Sequence, residues 1–152
     1  MPWNHYRFRS EWLLSAPPEQ VFDVLSRPED YPAWWPQVRE ARAGDDSSGT
    51  ALFRSLLPYE LRVRARATRQ EPSAGVLEIG LEGDLHGWAR WTVRPHPSGT
   101  AALFEQQVEV RRPLLRALAL PVRPLLVANH AWMMRGGRRG LRRWLASGLN
   151  ER

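Results

Sequence analysis

Hydrophobic and polar positions alternate near the start of the chain. Over residues 6–14, Tyr6, Phe8, Ser10, Trp12 and Leu14 fall on one side and Arg7, Arg9 and Glu11 on the other, the two-residue period of a half-buried strand. The period then lengthens: Pro18, Val21, Phe22 and Leu25 recur at helical spacing and give a short helix one apolar face. Pro17 and Pro18 suit its first turn, and Glu19 suits its positive end. Ser26-Arg-Pro-Glu29 reads as a capping box opening a second, very short helix, which Pro32 and Pro36 keep from running on.

From about 37 to 112 the pattern is a meander of strands cut by turn chemistry. The loops are Gly44-Asp-Asp-Ser-Ser-Gly49, Glu71-Pro-Ser-Ala-Gly75, Glu82-Gly-Asp84 and Pro95-His-Pro-Ser-Gly99. Strands are predicted at 37–43, 50–57, 59–70, 76–82, 85–94 and 100–111, with Pro58 kinking or dividing the segment between the second and third. Short loops make consecutive strands antiparallel neighbours. In 59–70, Leu61, Val63, Ala65 and Ala67 oppose Glu60, Arg62, Arg64 and Arg66; in 76–82, Leu77, Ile79 and Leu81 oppose Glu78 and Glu82. The Arg and Glu rows then form a solvated cross-strand ladder. Strand 85–94 has two readings. A three-residue turn at 82–84 puts Leu85, Ala89, Trp91 and Val93 inside, the more apolar row; a two-residue turn turns His86, Trp88 and Arg90 inward instead.

The tail is helical. Pro121 and Pro124 mark an early break, and the main helix is expected over about 122–147, roughly 38 Å at 1.5 Å per residue and long enough to lie across a sheet. Leu126, His130, Met133, Met134, Gly137, Leu141, Trp144 and Leu145 form one stripe; Arg135, Arg138, Arg139 and Arg142 form the opposite one. The arginines fit a solvated face near a helix C-terminus; an anionic surface or acidic partner is the other reading. Gly136, Gly137 and Gly140 each cost about 1 kcal/mol relative to Ala inside a helix. They point either to a close backbone approach or to room left beside the helix.

Composition narrows the function. The 152 residues carry 43% apolar and 25% charged side chains, ordinary for one soluble domain. Neither a membrane-length apolar run nor a secretory signal is legible, so a cytoplasmic location is expected. Without cysteine there is no thiolate chemistry, and because every basic residue is Arg there is no lysine Schiff base. The net charge of +6 sits largely on the last helix and lacks interleaved aromatics, so no nucleic-acid partner is expected. Four scattered histidines suggest no metal site. No phosphate loop and no nucleophile motif is present either. Eight Trp are several times the usual share, and Trp serves cores and ligand pockets equally well.

The inner face is therefore greasy, partly small and sparsely polar: Tyr6, Ser10, Ser55, Gln106 and His130 are its polar members. Small Ala65 and Ala67 under a large helix leave space unless aromatics fill it. His130 reads either as a hydrogen-bonded core residue or as a proton-transfer or ligand-orienting group. Gln106 is equally two-sided, since a buried amide needs partners and a ligand can supply them.

The order strand, two short helices, six-strand antiparallel meander, long C-terminal helix defines an α+β domain over 1–152. With Ser15-Ala-Pro-Pro-Glu-Gln-Val-Phe-Asp-Val-Leu25, Tyr31-Pro-Ala-Trp-Trp-Pro36, Trp91-Thr-Val-Arg-Pro95 and Gly99-Thr100, it resembles the START-like (SRPBCC) superfamily, in particular its polyketide cyclase/dehydrase-like branch. That resemblance implies a helix-grip fold, with the long helix packed over a curved sheet and a hydrophobic cavity between them. Members bind lipids, sterols, quinones, hormones or polyketides, and some catalyse cyclisation. The expected function is to bind a lipid-like or polyaromatic molecule, without a cofactor. The expected contacts are Trp35, Phe53, Val63, Ala65, Ile79, Trp91, Phe104, Gln106, His130 and Met133. Two alternatives stand beside it. One is a polyketide aromatase/cyclase in which His130 or Tyr6 moves protons. The other is a membrane-surface or partner-binding module working through the stripe from Arg135 to Arg143.

Overall fold

A computed structural model describes the backbone of residues 5–44, 48–54, 61–110 and 113–147, and their side chains except at 43, 113–123, 125 and 126. The expectations for Ser55, for Pro58 and for the side chain of Leu126 lie outside these residues.

The first strand, β1 (His5–Leu14), is followed by α1 (Pro18–Leu25), a 3-10 turn at Pro28–Asp30 and the one-turn helix α2 (Tyr31–Trp34). Six strands follow: β2 (Val38–Ala43), β3 (Ser48–Phe53), β4 (Leu61–Glu71), β5 (Val76–Gly83), β6 (Leu85–His96) and β7 (Gly99–Val110). They pair in the order β1-β7-β6-β5-β4-β3-β2, every neighbour antiparallel. The helix α3 (Pro113–Ser147) closes the chain. This is the predicted helix-grip order of elements, and the alternation of exposed and buried residues along β1 follows the sequence pattern.

Three expectations are corrected. The helix does not start near 122: it runs unbroken from Pro113 through Pro121 and Pro124. A proline inside a helix removes one backbone hydrogen bond and crowds one carbonyl, a local defect that a 35-residue ladder tolerates; Pro113, where the helix begins, is a favourable first-turn proline. The capping box at 26–29 does not form. Ser26 is instead the C-cap of α1, and its hydroxyl donates to the Asp23 carbonyl at 2.8 Å, so it is engaged behind itself rather than ahead.

The turn at 82–84 is also wider than expected. The β5–β6 pairing ends at Leu81↔Gly87, while Gly83, at φ 112°, pairs with Val63 on β4. Asp84 docks there too, its amide donating to the Arg62 carbonyl at 3.0 Å and its carboxylate accepting from the Arg62 amide at 2.9 Å. The register differs from a three-residue turn by two residues. Side chains alternate with period two, so the inward row is still Leu85, Ala89, Trp91 and Val93.

The core has one dense end. Trp12 of β1 meets Trp34, Trp35 and Trp91 at ring-centroid distances of 6.5, 5.5 and 4.8 Å, mostly edge to face. Two of the helix glycines, Gly137 and Gly140, sit against this cluster, and Gly136 sits against the Gln37 side chain. A Cβ on Gly137 would lie 2.5 Å from the Trp35 ring and 2.7 Å from the Trp12 ring, and one on Gly140 would lie 1.6 Å from the Trp34 carbonyl oxygen. Of the two readings of these glycines, close approach is the one the fold uses. The Trp35 indole then ties the layers together, donating to the Met133 carbonyl at 2.8 Å.

Candidate functional site

Beyond the Trp cluster the sheet and α3 part, leaving a cavity of about 430 Å³, within the range of small-molecule sites. Its floor follows from the register. Ala65 pairs with Leu81, and Ala89 with Ile79 and Gln106, so small and large inner residues alternate there, while Trp91 and Phe104 pair as two large rings. Ala65, Ala67 and Ala89 are too short to reach α3, and the hollow opens above them.

All ten residues predicted as contacts border this cavity. Trp35, Phe53, Val63, Ala65 and Ile79 come from α2's edge and from β3 to β5; Trp91, Phe104 and Gln106 come from β6 and β7; His130 and Met133 come from α3. Tyr6 borders it as well, whereas Ser10, on the same row of β1, does not. The sequence reading missed Phe8, Tyr31, Asn129 and Met134, which also line the space. Phe8 was legible as an inward residue of β1. Its role needed the pairing Phe8↔Gln106, which carries it beneath the helix.

A side-chain pair links α3 to the sheet across the cavity wall. His130 Nε2 lies 3.1 Å from Gln106 Oε1, joining α3 to β7. The imidazole is stacked on the Phe8 ring at 3.7 Å and 8°, with Phe104 at 6.0 Å. Burial pushes the His130 pKa down to about 4, so the ring is neutral at ordinary pH. Tyr31 is a structural group: its hydroxyl donates to the Leu25 carbonyl at 2.6 Å, and burial raises its pKa well above the usual phenol value.

Among the described residues, no charged side chain is fully buried. Arg90, the candidate for an inward cation, lies on the outer face of the sheet. Its guanidinium bonds Glu78 at 2.6 and 2.8 Å and packs on the Trp88 ring at 4.7 Å. Arg64 and Glu82 make the expected cross-strand pair at 3.4 Å. On α3, Arg135, Arg139, Arg142 and Arg143 are exposed, Arg138 is half-buried, and Arg142 donates to the Leu13 carbonyl at 3.0 and 3.2 Å. No helix among the described residues is long and apolar enough to cross a membrane.

Comparison with known proteins agrees with this geometry. In solved structures the chain is similar to an aromatase/cyclase, ZhuI from Streptomyces sp. R1128 (TM-score 0.73, 12% identity, 95% of this chain and 94% of that one). It is also similar to TTHA0849 from Thermus thermophilus (TM-score 0.69, 17% identity, 94% and 98%). A START superfamily protein from Mycobacterium smegmatis matches as well (TM-score 0.61, 18% identity, 90% and 98%). No curated protein matches in sequence. A seven-stranded antiparallel sheet gripping one long helix is the helix-grip fold that these neighbours share. Residues 14–135 match the model of the polyketide cyclase/dehydrase and lipid transport family, and the chain belongs to that family.

Proposed function

We propose that this protein is a cytoplasmic carrier or sensor that holds a hydrophobic small molecule, lipid-like or polyaromatic, between its sheet and α3. The observation that carries the reading is the hollow itself: about 430 Å³ of space walled by aromatic, aliphatic and alanine side chains. Apolar surface facing such a space gains about 25 cal/mol per Å² when a ligand covers it. Trp35, Phe53, Trp91 and Phe104 would supply area and shape, Val63, Ala65, Ile79 and Met133 the remaining walls, and Gln106 and His130 would orient a polar end. Native mass spectrometry of the protein as purified should show a co-purified apolar molecule. Polyaromatic or fatty ligands should raise its melting temperature. Finding neither a bound mass nor any thermal shift would sink the reading.

A second reading, a polyketide aromatase/cyclase, draws on one specific observation: a neutral imidazole facing the same cavity. A neutral His can take up and return protons if a reacting chain is folded against it. A His130→Ala variant with full turnover of a candidate polyketide would remove that role.

A further inference from the structure

The polar contact inside the cavity is incomplete by its own chemistry. A neutral imidazole has one donor and one acceptor, and a primary amide has both kinds of group. The bond between His130 Nε2 and Gln106 Oε1 uses one of each. With the amide oriented as observed, the ring donates through Nε2, which leaves Nδ1 as a bare acceptor and the amide NH₂ as a donor. With the amide turned over, Nδ1–H becomes the donor and the amide oxygen the acceptor. Either way the couple still offers at least one donor and one acceptor. Neither side chain has another hydrogen bond among the described residues, and both face the cavity.

The couple is also held still. Phe8 covers one face of the imidazole at 3.7 Å, and Gln106 is fixed on β7 between Ala89 of β6 and Phe8 of β1. A preorganised donor and acceptor in an apolar wall favour a partner that can both accept and donate without bringing charge. A carboxylate only accepts and an ammonium only donates, and each would need a counter-charge at that depth. Among the described residues none faces the couple: of those charged residues that border the cavity, Glu29, Arg42 and Arg69 are exposed, and Glu78 is bonded to Arg90.

We infer that the His130–Gln106 couple selects a neutral hydroxyl group on an aromatic ligand, so that the molecule taken up is a phenol or aromatic alcohol rather than a carboxylate. This rests on the cavity-binding reading above and narrows its ligand class. The test is titration of the full chain with 2-naphthol, 2-methoxynaphthalene, naphthalene and 2-naphthoate at pH 7, followed by calorimetry. 2-Naphthol should bind about five- to tenfold tighter than naphthalene, the scale of one net neutral hydrogen bond. The methyl ether should fall between them, and the naphthoate should be weakest. Gln106→Leu and His130→Phe should each bring naphthol down to the naphthalene level while naphthalene still binds, which shows that the cavity survives; if one variant fails to fold, the other decides. Naphthol no tighter than naphthalene in the parent protein, or a preference that persists in the variants, overturns the selection and leaves the cavity reading standing. If no bicyclic aromatic binds at all, the selection falls, and the fatty ligands and the co-purified mass decide the cavity reading.

Discussion

The two ends of the contact between α3 and the sheet are built in opposite ways. Toward the C-terminus, Gly137 and Gly140 let the helix backbone down onto Trp12, Trp34 and Trp35 until an added Cβ would overlap them. Two turns earlier, His130 and Met133 look across a void whose floor is set by Ala65, Ala67 and Ala89. At the packed end the helix is small and the facing residues of β1 and α2 are large; at the hollow end the sheet is small and the helix stays high. The contrast teaches that the hollow depends on the clamp. A helix pinned along one stretch can stand away from the sheet along another without collapsing into it, because dense interiors transmit position rigidly.

Substitutions that strike the clamp should have the largest effect. Gly140→Ala sets a methyl group against backbone that cannot swing aside, and a loss of about 3 kcal/mol is expected in urea unfolding, despite the better helix propensity of Ala. Gly137→Ala, which meets two indole rings, should cost less. Gly136→Ala should stay within about 1 kcal/mol of the parent, because its neighbour is the Gln37 side chain, which can rotate. Equal losses at all three positions would refute the clamp.

The hollow end should show itself through pH. The His130 pKa is about 4 in the fold and about 6.5 in an unfolded chain. Between those values the unfolded chain binds a proton that the fold refuses. Stability is therefore full above pH 6.5 and falls as the pH drops toward 4, by about 1.4 kcal/mol per unit or roughly 2 kcal/mol at pH 5. The difference between parent and His130→Phe urea midpoints, measured from pH 4.5 to 7.5, should carry this slope. Parallel curves would mean that the imidazole is not desolvated.

The smallest stability effect should come from filling the void. Ala65→Leu adds volume where there is space, so stability should change by less than about 1 kcal/mol, while binding of an aromatic probe should be lost. A Leu there that costs as much as Gly140→Ala would show that the floor is already packed.

Much of this was legible along the chain. Period two in β1 and β4 to β7 and period 3.6 in α3 separate inner from outer residues, and the inward row of β6 was readable even though the turn before it was misjudged. Local signals misled where a distant or later partner claimed the same group. Ser26 closes α1 instead of opening the next helix, Asp84 is taken by β4, and Pro121 and Pro124 sit inside a longer ladder. The three glycines posed a choice that spacing could not resolve, because closeness and emptiness look alike until the opposite surface is known.

The sequence by itself determined which side chains face inward, because alternation and helical period are properties of the backbone that neighbours read directly. It also determined that the inner face is nearly free of charge. Only the tertiary structure decided where that face is filled and where it is hollow, and that His130 meets Gln106 under the Phe8 ring. Volume and hydrogen-bond partnership belong to pairs of surfaces brought together over long stretches of chain, so no single segment encodes them.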